Sequence, residues 1–285
     1  MCASSVKMRR PFLFCFFIFV LVLSSFVSAH EEESAYNTDG QNRLYYQTRT
    51  LSMKLLVSAA IIIAAFVAYA IANNHSGLTQ KKKQILFVGI AVPTLIATIV
   101  LAYATVYLNV VSETKGPVHW HADFEIWKCG EKIDLKDSTG FTNRIGTPVF
   151  HEHGDDRIHV EGVLIDKNDA NLGRFFNVTG GVLTQEKMRM PTNTGFVEAT
   201  NGESCNGVPG KLQVFLFHII NPEQDKEWVY AQKKLGHFDN YVLSPYSLVP
   251  PADCIIVEFG PEKEKTTNLC ETYRIAESRG ELHGS

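Results

Sequence analysis

The sequence predicts an α+β protein: an N-terminal signal peptide and two transmembrane helices, then an exported domain built on a mixed or antiparallel sheet with one or two helices packed on one face. Three observations predict it. Long uncharged apolar runs collect in the first 110 residues, the remainder alternates apolar and polar residues at period two, and no βαβ series breaks that alternation. Long strands separated by single helices suggest a β-grasp-like arrangement for the exported part.

Residues 1–29 have a basic start (Lys7, Arg9, Arg10), an apolar run over 12–27 and a small-residue exit at Ser28-Ala29, the layout of a signal peptide or an uncleaved signal anchor. An exported segment, 30–52, follows. The uncharged runs 55–72 and 85–111 predict transmembrane helices over 53–73 and 85–111, because buried helices of soluble proteins rarely stay free of charge for so long. Between them, residues 74–84 hold Lys81-Lys82-Lys83. Short cytoplasmic loops gather lysine and arginine, so this loop is expected inside and both flanks outside, with the C-terminal domain on the extracytoplasmic side of a cell membrane.

The exported domain is expected over 116–260, with a polar C-terminal tail over 261–285. Residues 119–127 alternate, so Trp120, Ala122, Phe124 and Ile126 share the face given to the core, while His119, His121, Asp123 and Glu125 share the other. Cys129-Gly130-Glu131-Lys132 reads as a turn into a short strand over 132–135, and 157–163 repeats the alternation with Arg157, His159 and Glu161 on the polar face. The 147–150 run delivers His151 and His153, and Gly154-Asp155-Asp156 turns the chain back, so a hairpin would bring one or both beside His159. Residues 171–178 suggest a short helix and 222–234 a second one, opened by Pro222 with Glu223 and Asp225. Further strands are expected at 189–190, 195–199, 211–220, 240–243 and 254–259.

Residues 116–285 carry 17 Lys plus Arg against 25 Asp plus Glu, a net of about −8. No basic stripe survives that balance, which excludes a nucleic-acid-binding surface and suits cation binding. Cys129, Cys205, Cys254 and Cys270 imply two disulfides in an oxidising compartment, with three connectivities open; the pair Cys254 and Cys270 would close a short loop.

Five of the ten histidines lie within residues 119–161, as two HxH pairs and a single: His119, His121, His151, His153 and His159. Imidazoles without thiolates suit zinc or copper(II), and the nearby carboxylates Asp123, Glu152 and Glu161 could serve as oxygen ligands or as an acid or base. The string His119-Trp120-His121-Ala122-Asp123, then His151-Glu152-His153 with Arg157-Ile158-His159, then Leu172-Gly173-Arg174-Phe175-Phe176, resembles a group of exported prokaryotic His-rich domains. Many members are archaeal and often membrane-anchored, with HxH, HxH and LGxFF elements in this order. The resemblance covers about residues 117–260 and implies that the histidines act as a unit on the outer side of the membrane; it implies no reaction.

Three functions follow as expectations. The first is a membrane-integral protein that captures or buffers zinc or copper through the cluster. The second is a metal-dependent enzyme with an open position on a His-ligated ion, and the third a surface interaction module without metal. No protein partner is named by any motif.

Overall fold

The structure, a computed structural model, describes residues 42–73, 77–139, 143–224, 227–243 and 252–285. The expected signal segment 1–29 and most of 30–52 lie outside the described residues. The chain divides into two compact units, Met1–Val111 and Ser112–Ser285.

In the first unit, helix α1 (Asn42–Asn73) and helix α2 (Gln80–Val111), each of 32 residues, pack against one another. Both are long and apolar enough to cross a membrane, and at about 1.5 Å per residue each exceeds the ~30 Å of bilayer hydrocarbon. Their apolar side chains face outward: Leu51, Ile71, Phe87, Leu95 and Tyr103 are more than half exposed, unlike those of a soluble core helix. The polar threonines of α2 satisfy themselves locally, Thr94, Thr98 and Thr105 donating to the carbonyls four residues back at 2.8, 2.9 and 2.9 Å. Gly89 makes the helix contact close, since any Cβ there would strike the ring of Phe66 on α1. Lys81, Lys82 and Lys83, expected in the loop, instead form the first turn of α2.

The second unit is α+β. Its main sheet contains β1 (Pro117–Lys128), β2 (Glu131–Ile133), β3 (Ile145–Gly146), β4 (Phe150–Glu152), β5 (Arg157–Val163), β11 (Lys211–Ile219), β12 (Trp228–Leu235), β13 (Asp253–Gly260) and β14 (Leu282–Gly284), in the order β14-β12-β11-β13-β1-β5-β4-β3 with β2 on β1. It is mixed: β1 runs parallel to β13 and β12 to β14, and the other pairs are antiparallel. Helix α3 (Leu172–Val178) follows β5, capped by Asn171, whose side chain accepts from Arg174 N at 2.7 Å. A small sheet of β6 (Val182–Leu183), β7 (Lys187–Thr192) and β8 (Gly195–Thr200), and a ribbon of β9 (Ser204–Cys205) and β10 (Val208–Pro209), precede β11. Disulfides join Cys129 to Cys205 and Cys254 to Cys270.

Both faces of the main sheet are covered. Trp120, Phe124, Ile158, Leu212, Val214 and Ile255 pack against Phe175 and Phe176 of α3, while Phe215, Phe217, Cys254 and Ile256 pack against Tyr273 and Ala276 of helix α4 (Glu271–Ser278). The expectation of helices on one face is therefore corrected: α3 and α4 lie on opposite faces, which is why β13 is buried at every position. The segment 261–285, expected as a polar tail, supplies α4 and β14 and buries Tyr273 and Leu282.

Two elements differ from expectation. The described residues 222–224 and 227–234 form no helix; Pro222 sits in a turn, and Tyr230–Leu235 pair with the edge of β11 while Trp228–Tyr230 pair with β14. Asn221 ties that turn, accepting from Val229 N at 2.6 Å and donating to Gln224 at 2.8 Å. Residues 240–243, expected as a strand, make a 3-10 turn over Phe238–Asn240 and a single bridge from Val242 to Asn171.

Candidate metal centre

Strand pairing assembles the histidines. On the α4 face, His121 of β1 lies opposite His159 of β5, and His159 lies opposite His151 of β4, so one row of three imidazoles crosses three adjacent strands. Directly paired side chains on one sheet face lie ~4.5–5.5 Å apart at Cβ, within reach of a shared ion. His119, two residues before His121, faces Glu161 in the next row, and His153 follows β4 into the turn.

The five rings converge. Centroids are 4.5 Å apart for His119 and His121, 4.7 Å for His121 and His159, 4.7 Å for His151 and His153, 4.8 Å for His153 and His159, and 5.4 Å for the stacked pair His151 and His159. Their ligand nitrogens form two triads, His119-His121-His159 and His151-His153-His159, with all atoms of each triad within 4.8 Å of one another. The tightest approach is His151 Nε2 to His153 Nε2, 3.1 Å. Two nitrogens bound to one zinc at ~2.0–2.1 Å with a tetrahedral angle lie about 3.3 Å apart, close to that spacing.

Burial grades across the row: His119 and Glu161 are at the rim, His121 and His153 are half-buried, and His151 and His159 are buried. Burial first, then the neighbouring imidazoles His159 and His119, lowers the His121 pKa to about 4. Burial and His153 lower His151 to about 4 in the same way, and burial lowers His159 against the pull of Asp155. At neutral pH these rings are therefore unprotonated and hold lone pairs ready for a cation. Among the described residues, His151 Nδ1 is buried with no hydrogen-bond partner.

The rings are oriented by their surroundings. His153 Nδ1 contacts the carbonyl oxygen of Asn143, His159 Nε2 lies 3.2 Å from Asp155 Oδ2, and His119 Nε2 lies 3.1 Å from Glu161 Oε1. Such carbonyl and carboxylate partners fix the tautomer of a ligating imidazole. Asp155, in the turn expected at Gly154-Asp155-Asp156, also stands at the rings. Its position four before His159, across a turn that reverses the chain, is the signal that marks it as a site residue.

The expected carboxylates part ways. Glu161 stands beside His119. Asp123 shares the face of His121 but is engaged by Arg157 Nε at 2.7 Å and by the Thr272 hydroxyl of α4. Glu152 points to the opposite face from His151, where one oxygen accepts from Gly154 N and, at 2.7 Å, from Asp155 N; burial pushes its pKa up. It holds the turn that carries Asp155. Glu125 lies further along β1 under Arg274 at 3.2 Å and the Trp127 indole at 3.0 Å. Of the four cysteines in 112–285, none belongs to either triad, and all four are consumed in disulfides. The chain matches no protein-family model, no curated protein and no solved structure.

Proposed function

We propose that the protein is a membrane-anchored metal-binding protein whose extracytoplasmic domain captures or buffers zinc or copper(II) through the histidine cluster. The observation that carries this reading is the triad His151-His153-His159, with two Nε2 atoms 3.1 Å apart and the rings of His151 and His159 held unprotonated by burial. Two membrane-length apolar helices support the anchor, and three lysines at the start of α2 support an inside position for the connection between them. Two disulfides suit an oxidising compartment for the domain. The order β11-β13-β1-β5, with β1 parallel to β13 and α3 across one face, supports the β-grasp-like reading, and the HxH, HxH and LGxFF order supports kinship with the exported prokaryotic His-rich group.

The enzyme reading is weaker, because Asp123 and Glu152 are already engaged and leave Glu161 and Asp155 as the carboxylates at the rings. The test is elemental analysis of the full chain purified in detergent, stripped with chelator, loaded separately with zinc and copper(II), and desalted. At least one equivalent retained, with less retained by the variant His151→Ala/His153→Ala, is expected. No retained metal in the parent protein would overturn the proposal.

A further inference from the structure

The five imidazoles do not form one set. They fall into two triads that share a single member, His159, and each triad draws its other two ligands from one HxH pair. An ion with ~2.1 Å bonds holds its ligand nitrogens within about 4 Å of one another, a spacing each triad approaches separately. His159 sits on the middle strand of the row, with His121 of β1 on one side and His151 of β4 on the other. Its ring is nearly perpendicular to that of His121, at 83°, and parallel to that of His151, at 5°. An imidazole has two ring nitrogens on opposite edges, so a ring flanked in this way can serve two ions where one nitrogen could not.

From this geometry we propose that the cluster is a two-metal site bridged by His159, an inference that rests on the metal-binding reading above. One ion is held by His119, His121 and one nitrogen of His159, and the other by His151, His153 and the remaining nitrogen. Each centre has a carboxylate beside it: Glu161 Oε1 is 3.1 Å from His119 Nε2, and Asp155 Oδ2 is 3.2 Å from His159 Nε2. Binding of the second ion displaces the last ring proton of neutral His159, which leaves to solvent, and no electron is transferred. The two ions then sit roughly 6 Å apart, given metal–nitrogen bonds of ~2 Å on both edges of the ring.

The test loads the full chain in detergent with copper(II) and compares copper content with the spins counted by low-temperature electron paramagnetic resonance. Two coppers per chain, with a spin count well below the copper content because the bridging imidazolate couples them, is the expected result. His119→Ala/His121→Ala should then retain one copper at full spin, and His159→Gln should give one spin for every copper it still holds. Far-UV circular dichroism and intact disulfides check that each variant folds, and the parent measurement decides the matter without them. One copper per chain, lost when either HxH pair is changed, overturns the bridge and leaves the metal reading standing. Two coppers at full spin also overturn the bridge. No copper overturns the bridge, and retention of neither copper nor zinc overturns the metal reading with it.

Discussion

His121 and His151 are the residues whose protonation the fold resists most clearly, both lowered from 6.5 to about 4 by burial and neighbouring imidazoles. Between those values the unfolded chain takes up protons that the folded, metal-free chain does not, so protonation favours unfolding. The stability these neutral rings contribute is complete above pH 6.5 and is lost as the pH falls toward 4. Thermal melts of chelated protein across that window should fall more steeply for the parent than for His121→Gln/His151→Gln; equal slopes would refute the assignment. Gly146 gives a second prediction. It pairs with His151 at φ +112°, and a Cβ there would lie 2.5 Å from Phe150 O and 3.1 Å from His151 Cα. Gly146→Ala should destabilise the domain by more than about 1 kcal/mol and weaken metal retention by shifting β4. At this scale alternation in the sequence was enough to put His119, His121 and His159 on one face, because strand parity is a local property. The engagement of Asp123 by Arg157 and Thr272 was not legible, since Thr272 lies 149 residues away in sequence.

The strands that carry the histidines pack against α3, and α4 is a less obvious support that holds β1 from the other face. Its residues Thr272 and Arg274 reach Asp123 and Glu125 on β1, and the Cys254–Cys270 bridge fastens its start to β13. That bridge closes a loop of sequence separation 16, which restricts the unfolded chain by about 3 kcal/mol. Cys254→Ala/Cys270→Ala should lower the denaturant midpoint by a corresponding amount, measured with the Cys129–Cys205 bridge left intact. Arg157→Met should cost roughly 2–3 kcal/mol, since it strips the guanidinium from the buried Asp123 carboxylate; a loss under 0.5 kcal/mol would show that Thr272 alone suffices. Alternation identified β1, β5, β8, β11 and β13 because each is long or strongly periodic. It failed for β12, where Pro222 and its acidic neighbours imitate a helix start and the deciding influence is the edge of β11. It also failed for α4, whose apolar contribution is little more than Tyr273, Ile275 and Ala276, too sparse a stripe to stand out among charged neighbours.

At the scale of the whole molecule, two apolar helices precede a domain with a net negative charge and two disulfides. The chain should remain with membranes through an alkaline carbonate wash, and protease added to intact cells should cut within 112–285 while an epitope inserted at 77–79 stays protected. Release by the wash, or the reverse protection, would refute the anchor or its orientation. The histidine row has a consequence for ion choice as well. His121, His159 and His151 are rungs of hydrogen-bonded ladders on strands packed against α3, so their spacing is dictated by the backbone pleat. A loop-borne site contracts or widens around whatever enters; the proposed one would work as a fixed gauge, with latitude to adjust at His119 on the rim and His153 in the turn. Discrimination among cations would then become a mechanical property of the domain, and substitutions that loosen β1 from α4 should broaden the range of ions accepted before they abolish binding.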